Sequence, residues 1–120
     1  MGRLLWERFQ GVPDLQYILL PPYEIPDLIV VSGLIVENRG QKPANNIKIS
    51  IEYDDPSLNK IHHMEIISDE EYILRGGGEQ YSFATLRLRQ MKPGSKVIVY
   101  FASSRPLTPR VSVTSFEASY

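Results

Sequence analysis

The two histidines of this chain, His62 and His63, are the side chains best suited to bind a metal ion, because imidazole is a common ligand of zinc. The apolar pattern of residues 61–67 predicts that both lie on one β-strand. Adjacent side chains on a strand point to opposite faces of the sheet, so the two rings do not converge on one ion. The sequence has no cysteine to complete such a site. We therefore expect no bound metal, with one histidine packed and the other exposed.

A loop rich in side-chain oxygens is a candidate calcium site. Asp54, Asp55 and Asn59 carry these oxygens within one short stretch. An EF-hand loop places ligands at alternate positions and a bidentate glutamate at its end, and the sequence has neither feature. Asp-Asp-Pro-Ser is typical of a turn whose side chains hydrogen-bond to the backbone. Calcium-dependent or carbohydrate binding by loops at one end of the domain is kept as the alternative function.

Motifs for phosphate transfer and nucleophilic catalysis do not occur in the sequence. Residues 76–78 are three glycines, but a P-loop needs Lys followed by Ser or Thr after its last glycine, and here Glu79 follows. The glycines therefore predict a hairpin connection. No Gly-x-Ser-x-Gly elbow occurs, and there is no cysteine to act as a thiol nucleophile. We expect no catalytic residue, no cofactor and no enzymatic activity.

The elements that carry these residues are predicted to be strands, since apolar residues recur at every second position. Ile47, Ile49 and Ile51 alternate with polar neighbours and give the clearest example. The predicted strands cover about residues 15–19, 28–37, 46–53, 61–67, 81–88, 97–101 and 111 onwards, with a short piece at 72–74. The alternation changes phase near Ala84, which predicts an irregularity there. About seven strands at this spacing, without a helix of normal length, predict an all-β, immunoglobulin-like Greek-key sandwich.

Residues 28–36 predict the longest strand, and both of its faces are mostly apolar. Such a strand is expected to be central in its sheet and partly covered on its outer side. We expect residues 1–25 to form an N-terminal extension that packs on the sandwich or leads into it, and residues 26–120 to form the sandwich itself. Ile29, Val31 and Ile35 share the outer face, and if they are left uncovered they are a candidate interaction surface.

Charge is balanced over the whole chain, which has 13 basic and 14 acidic residues and a net charge of −1. Because nucleic-acid-binding domains usually carry a positive excess, nucleic acid is not favoured as a partner. Acidic residues nevertheless concentrate at positions 52–71 and basic residues at 87–110. If the fourth and fifth predicted strands are neighbours, Glu65 pairs weakly with Arg87 or Arg89. The alternative is a basic face, including Arg87 and Arg89, that docks an acidic partner, a lipid headgroup or RNA.

Aromatic side chains offer a further binding chemistry, because they stack on sugar rings. The predicted core members, which lie on strands, are Tyr81, Phe83 and Phe101. The predicted exposed members are Tyr17, Tyr23, Tyr53 and Tyr120. Their spacing is not typical of a binding platform, so sugar binding is the weaker interpretation.

No stretch of the sequence is long and apolar enough to span a bilayer, which needs about 20 apolar residues. Glu7 and Arg8 stand where a signal peptide needs an apolar core. Arg3 and Arg8 would suit the cytoplasmic flank of a membrane anchor outside this chain. A cytoplasmic position is therefore favoured slightly over an extracytoplasmic one, although the absence of cysteine is compatible with both.

Two short motifs resemble a known group of β-sandwich modules. Residues 34–40, Leu-Ile-Val-Glu-Asn-Arg-Gly, and residues 43–49, Pro-Ala-Asn-Asn-Ile-Lys-Ile, resemble the pattern of bacterial and archaeal immunoglobulin-like modules of the CARDB and adhesion-repeat type. Residues 91–94, Met-Lys-Pro-Gly, resemble the turn before their sixth strand. The resemblance covers about residues 28–114 and implies a spacer or interaction module. We therefore predict a non-catalytic domain of a larger bacterial protein, with another protein or domain as its partner. Some bacterial β-sandwich modules that resemble this one follow a membrane anchor, so the larger protein is a candidate for membrane tethering.

Overall fold

Nine strands follow one another along the residues that the computed structural model describes, which are 7–8, 15–25, 29–54, 60–77, 81–104 and 108–115. They are β1 (Glu7–Arg8), β2 (Leu15–Ile25), β3 (Ile29–Asn38), β4 (Ala44–Glu52), β5 (Ile61–Ser68), β6 (Tyr72–Gly76), β7 (Phe83–Met91), β8 (Lys96–Ser103) and β9 (Arg110–Ser115). These ranges contain no helix. The prediction of an all-β chain is confirmed.

The strands form two antiparallel sheets. Sheet A has the order β1-β2-β3-β8-β5, and sheet B has the order β6-β7-β4-β9. Side chains from the inner faces of both sheets pack into one apolar core. Two sheets that share a core in this way form a β-sandwich, as predicted.

The strand order of sheet A differs from that of an immunoglobulin constant domain, in which the first, second, fifth and fourth strands lie side by side. Counted from β2, sheet A places the seventh strand, β8, between β3 and β5. The fifth strand of this count, β6, pairs instead with β7 in sheet B. The immunoglobulin-like Greek-key order is therefore not confirmed, and the pairing establishes a two-sheet antiparallel sandwich.

Alternating side chains of β4 and β8 supply much of the core. Ile47, Ile49 and Ile51 on β4 are each 1% exposed, whereas Lys48 between them faces solvent. Phe101 on β8 is equally buried, which confirms its predicted place in the core. Full burial of such a side chain stabilises the fold by about 1.5–3 kcal/mol, so these residues fix which face of each strand points inward.

The segment before β3 joins sheet A as a strand. β2 pairs with β3, and the register shifts between Leu20 and Tyr23. Pro21 and Pro22 lie at this bulge. Proline supplies no N–H for the hydrogen bonds between strands, and a bulge leaves such a position unpaired. The strand thus continues to Ile25, beyond the predicted end near residue 19. Residues 15–25 belong to the predicted N-terminal extension, and they pair with β3 as a strand of sheet A.

β6 and β7 form the hairpin predicted at the glycine triplet. Gly76 pairs with Ala84, and the φ angles of Gly76 and Gly77 are 78° and 70°, a region that glycine adopts without a Cβ clash. The irregularity predicted near Ala84 is wrong. Ala84, Leu86 and Leu88 face the core in one unbroken register with β4.

The observed inward and outward positions of β7 and β4 correct several predictions about which aromatic residues are buried. Phe83 lies on the outward phase of β7 and is 40% exposed, and Tyr81 beside it is 44% exposed. Their rings meet edge to face, with centroids 5.4 Å apart. Tyr53 continues the inward phase of β4, so it is 2% exposed and belongs to the core. Of the other predicted exposed tyrosines, Tyr23 is 70% exposed, Tyr17 packs against the core, and Tyr120 lies outside the described residues.

Asn38, at the end of β3, is a fully buried polar residue that joins two turns. Its Nδ2 donates to the carbonyl oxygens of Lys42 (2.8 Å) and Met91 (3.0 Å), and its Oδ1 accepts from the Gly40 N–H (3.0 Å). Its main-chain carbonyl accepts from the Gly94 N–H at 2.8 Å. The two motifs that carry the sequence resemblance therefore meet at this side chain.

Candidate functional site

The outer face of sheet A carries three mostly apolar rows that run across β2, β3, β8 and β5. The residues in register are Ile18, Ile35, Ile98 and Ile67 in the first row, Leu20, Gly33, Tyr100 and Glu65 in the second, and Tyr23, Val31, Ala102 and His63 in the third. Ile25 and Ile29 extend β2 and β3 beyond the third row. These side chains point outward because their neighbours on each strand alternate into the core. We call these residues the apolar face.

Exposure in the isoleucine row rises from β2 to β5. Ile18 is 4% exposed, Ile35 and Ile98 are half-buried, and Ile67 is 52% exposed. Tyr100 in the second row is 40% exposed. Contiguous exposed apolar surface on a soluble domain marks a contact site, whereas single exposed apolar residues need no explanation.

A shallow groove of about 290 Å³ crosses the apolar face beside Tyr100. It is lined by Ile29, Val31, His63, Glu65, Tyr100, Phe101 and Ala102. The Tyr100 ring packs over Gly33, where a Cβ would lie 3.4 Å from the ring carbons. Glycine at this position thus allows the ring to approach the sheet and form one wall of the groove. Glu65 and His63 supply its polar side.

An ion-paired row closes one end of the apolar face. Gln16, Glu37 and Lys96 are in register there on β2, β3 and β8. The Glu37 carboxylate lies 3.7 Å from Lys96 Nζ and 3.4 Å from Arg39 Nε. Partly exposed pairs of this kind stabilise little, but they separate the apolar rows from the polar end of the sheet.

The outer face of sheet B is polar and basic. Lys48 on β4 lies directly opposite Arg87 on β7, and Arg89 follows on the same face. All three side chains are exposed and line a depression of about 310 Å³. In the ranges given above, none of the three forms an ion pair with an acidic residue. Among the described residues, this cluster therefore has no ion-pair partner.

The five residues predicted as candidate interaction surfaces lie on opposite sides of the sandwich. Ile29, Val31 and Ile35 lie together on the outer face of sheet A. Arg87 and Arg89 lie on the outer face of sheet B. Because the core separates the two sets, they are two candidate surfaces, one apolar and one basic.

The charge pairing expected between Glu65 and Arg87 or Arg89 is wrong, because β5 belongs to sheet A and β7 to sheet B. The fourth and fifth predicted strands are therefore not neighbours. Among the described residues of sheet B, Arg110 forms the ion pairs instead, with its Nη2 atom 2.7 Å from Asp54 Oδ1 and 3.8 Å from Glu52 Oε1. Asp54 is the residue of the suggested calcium loop that the structure describes, and its carboxylate contacts Arg110.

The exposure of the two histidines differs from the prediction based on strand alternation. His62 is the extra residue of a bulge in β5, and its Nε2 contacts Ser104 Oγ. Both His62 and His63 are exposed, so the expectation that one packs is wrong, and the bulge is the reason. Among the residues described, no group of three His, Asp or Glu side chains could hold a metal ion. Asp55 and Asn59 of the calcium loop fall outside that set.

The Tyr53 hydroxyl is the one buried side-chain polar atom without a hydrogen bond in the described part of the chain. Burial raises the pKa of Tyr53 above its ordinary value of 10.0, and the nearby Ser103 side chain opposes this rise. A low-polarity environment disfavours the phenolate, so Tyr53 is a neutral core residue.

Ile67, Ile98 and Tyr100 belong to the apolar face but are not among the residues predicted from the sequence. The sequence carries a signal for Ile98 and Tyr100, because residues 97–101 are apolar at every position. Residues 28–36 show the same pattern of apolar residues on both faces of the strand. Ile67 gave no such signal, because it follows Ile66 and either isoleucine could have faced the core.

Comparisons with known proteins do not assign the chain to a family. No protein-family model matches the sequence, and no curated protein sequence matches it significantly. The resemblance to CARDB and adhesion-repeat modules therefore remains an expectation. Over the ranges that the structure describes, no helix is long and apolar enough to cross a membrane.

Proposed function

We propose that the chain is a non-catalytic β-sandwich module that serves as a protein-interaction and spacer domain of a larger bacterial protein, and that it binds its partner through the apolar face. One observation carries this proposal. Three apolar rows in register leave Tyr23, Ile67 and Tyr100 between 40% and 70% exposed on one side of the sandwich.

The chemistry of the apolar face favours a protein as its ligand. The residues project from four hydrogen-bonded strands, so little conformational entropy is lost when a partner docks. The groove beside Tyr100 is shallow, whereas small-molecule sites bury most of their ligand. Tyrosine is enriched at protein interfaces because it combines a large apolar ring with a hydroxyl group. The fitting partner presents an apolar surface with a basic group opposite Glu65.

The proposal is tested by exchanging one exposed residue on each side of the sandwich. Tagged wild-type protein, an Ile67→Lys variant and a Ser112→Lys control are purified from the native cells, and the stoichiometry of each co-purifying protein is measured. Ser112 is exposed on the outer face of sheet B, so it adds the same charge away from the apolar face. We expect a stoichiometric partner with wild type and control, reduced at least tenfold by Ile67→Lys. Equal recovery with both variants contradicts the proposal.

A further inference from the structure

Lys48 and Arg87 are cross-strand neighbours of the same charge on the outer face of sheet B. Directly opposed like charges destabilise a sheet, and opposed unlike charges stabilise it. Arg89 adds a third positive charge on the same face, two residues along β7. No acid of the described residues forms an ion pair with these three side chains. The sheet therefore holds a concentration of positive charge that a bound anion would relieve.

The three cations surround a space suited to a ligand. The depression at this point has a volume of about 310 Å³, and its remaining walls are Asn46, Ile47, Glu71, Tyr72, Ile73 and Leu88. A volume of this size is at the lower end of the range for small-molecule sites. Ile73 is in register with Arg87 on the same face and is 65% exposed, so it gives the depression an apolar side. Charged and apolar walls together fit a ligand that has an anionic group and an uncharged body.

We propose that this depression binds a small molecule bearing a phosphate or diphosphate group, with Arg87 and Arg89 as fork-like donors to the phosphate oxygens and Lys48 as a point charge. Guanidinium groups match the oxygens of phosphate with two parallel hydrogen bonds, and an ammonium group adds charge without that geometry. This inference goes beyond the proposed function, because it concerns the opposite side of the sandwich.

The surroundings of the depression favour a small ligand over a polymer or a membrane. Glu71 lines the same depression, and Glu52 lies on the same face of β4. A nucleic acid or an anionic bilayer needs an extended basic surface, and the chain as a whole has a net charge of −1. Three clustered cations with acidic residues nearby match a small ligand that carries two or more negative charges.

Isothermal titration calorimetry with inorganic pyrophosphate tests the assignment. We expect binding by the wild-type chain with a Kd of roughly 1 mM or tighter, and a loss of at least about tenfold in affinity for Arg87→Gln and for Lys48→Gln. Lys92→Gln is the matched control, because Lys92 is an exposed turn residue outside the depression. Its affinity is expected to equal that of wild type. Circular dichroism confirms that each variant is folded.

Removal of the like charge supplies a second readout that needs no ligand. At low salt we expect Lys48→Gln to raise the Tm by roughly 1–4 °C, because the repulsion across β4 and β7 is lost. The proposal is overturned if pyrophosphate gives no heat at 10 mM (roughly ten times that Kd), or if all variants bind alike. Binding only to phosphatidic-acid vesicles or to single-stranded oligonucleotides, without binding of pyrophosphate, also overturns it.

Discussion

The Asn38 side-chain amide donates a buried hydrogen bond of 3.0 Å to the main-chain carbonyl of Met91, 53 positions further along the chain. The same amide also donates to the Lys42 carbonyl, and its oxygen accepts from the Gly40 N–H. One side chain thereby ties the turn after β3 to the turn before β8. Since β3 and β8 are neighbours in sheet A and carry half of the residues of the apolar face, this junction holds the two strands of the proposed site in register.

Asn38→Ala is expected to destabilise the protein by about 2–4 kcal/mol, because three hydrogen bonds are lost and a buried carbonyl is left without a donor. Urea denaturation followed by circular dichroism measures this loss. Gln41→Ala, an exposed position in the same turn, is the control and should change the free energy of unfolding by less than about 0.5 kcal/mol. Equal effects of the two substitutions would show that the Asn38 junction does not hold the turns together.

A comparison of Gly76→Ala with Gly94→Ala distinguishes the cost of backbone strain from the cost of a steric clash. Both glycines have positive φ, 78° and 83°, so alanine costs about 1–2 kcal/mol in conformation at either position. At Gly76 a Cβ would also lie 2.4 Å from the Phe83 carbonyl oxygen, whereas at Gly94 nothing lies within 4 Å. We expect Gly76→Ala to lower the free energy of unfolding by roughly 3 kcal/mol or more, and Gly94→Ala by about half of that or less. Thermal unfolding of both variants provides the comparison.

Tyr53→Phe is expected to leave the free energy of unfolding at pH 8 within about 1 kcal/mol of wild type, because the buried hydroxyl has no hydrogen bond of regular geometry to lose beyond its interaction with the Ser103 side chain. Burial raises the pKa of Tyr53 in the folded protein above 10.0. Above about pH 10 the unfolded chain loses this proton while the folded protein keeps it, so the stability of wild type falls as pH rises. The variant lacks this contribution. Urea denaturation at pH 8 and at about pH 11 tests both parts, and identical pH dependence would contradict the second.

Ile66→Ser and Ile67→Ser test the direction of two adjacent side chains on β5. Ile66 packs against the core, and Ile67 is 52% exposed on the apolar face. We expect Ile66→Ser to cost about 2 kcal/mol or more and Ile67→Ser less than about 1 kcal/mol. Denaturant titration of both variants provides the measurement. A larger loss from Ile67→Ser would mean that the register of β5 is reversed and that Ile67 is not available to a partner.

The sequence predicts the periodic features of this fold and not the pairing of its strands. The alternation of Ile47, Ile49 and Ile51 was enough to predict the inward face of β4, because burial imposes a period of two. Nothing in that alternation indicates that β3 pairs with β8, since apolar strands are interchangeable as neighbours until the whole chain is packed. At the start of β7 the prediction is wrong, because the large apolar Phe83 suggests an inward position that the small Ala84 occupies.

The candidate surfaces were predicted only in part for the same reason. Ile29, Val31 and Ile35 were recognised because both faces of their strand are apolar. Whether Arg87 and Arg89 share a surface with them depends on which sheet each strand joins, and the sequence carries no local signal for that. The opposition of Lys48 and Arg87 likewise follows from the β4–β7 register alone.

Site-specific photo-crosslinking tests whether the apolar face is the surface on which a partner docks. A benzoylphenylalanine residue is placed at Tyr100 in one variant and at Ser112, on the outer face of sheet B, in another, and both are irradiated in the native cells. We expect a discrete protein adduct from position 100, lost when Ile67→Lys is added, and none from position 112. An adduct from position 112 alone, or no adduct from either position, would contradict this expectation.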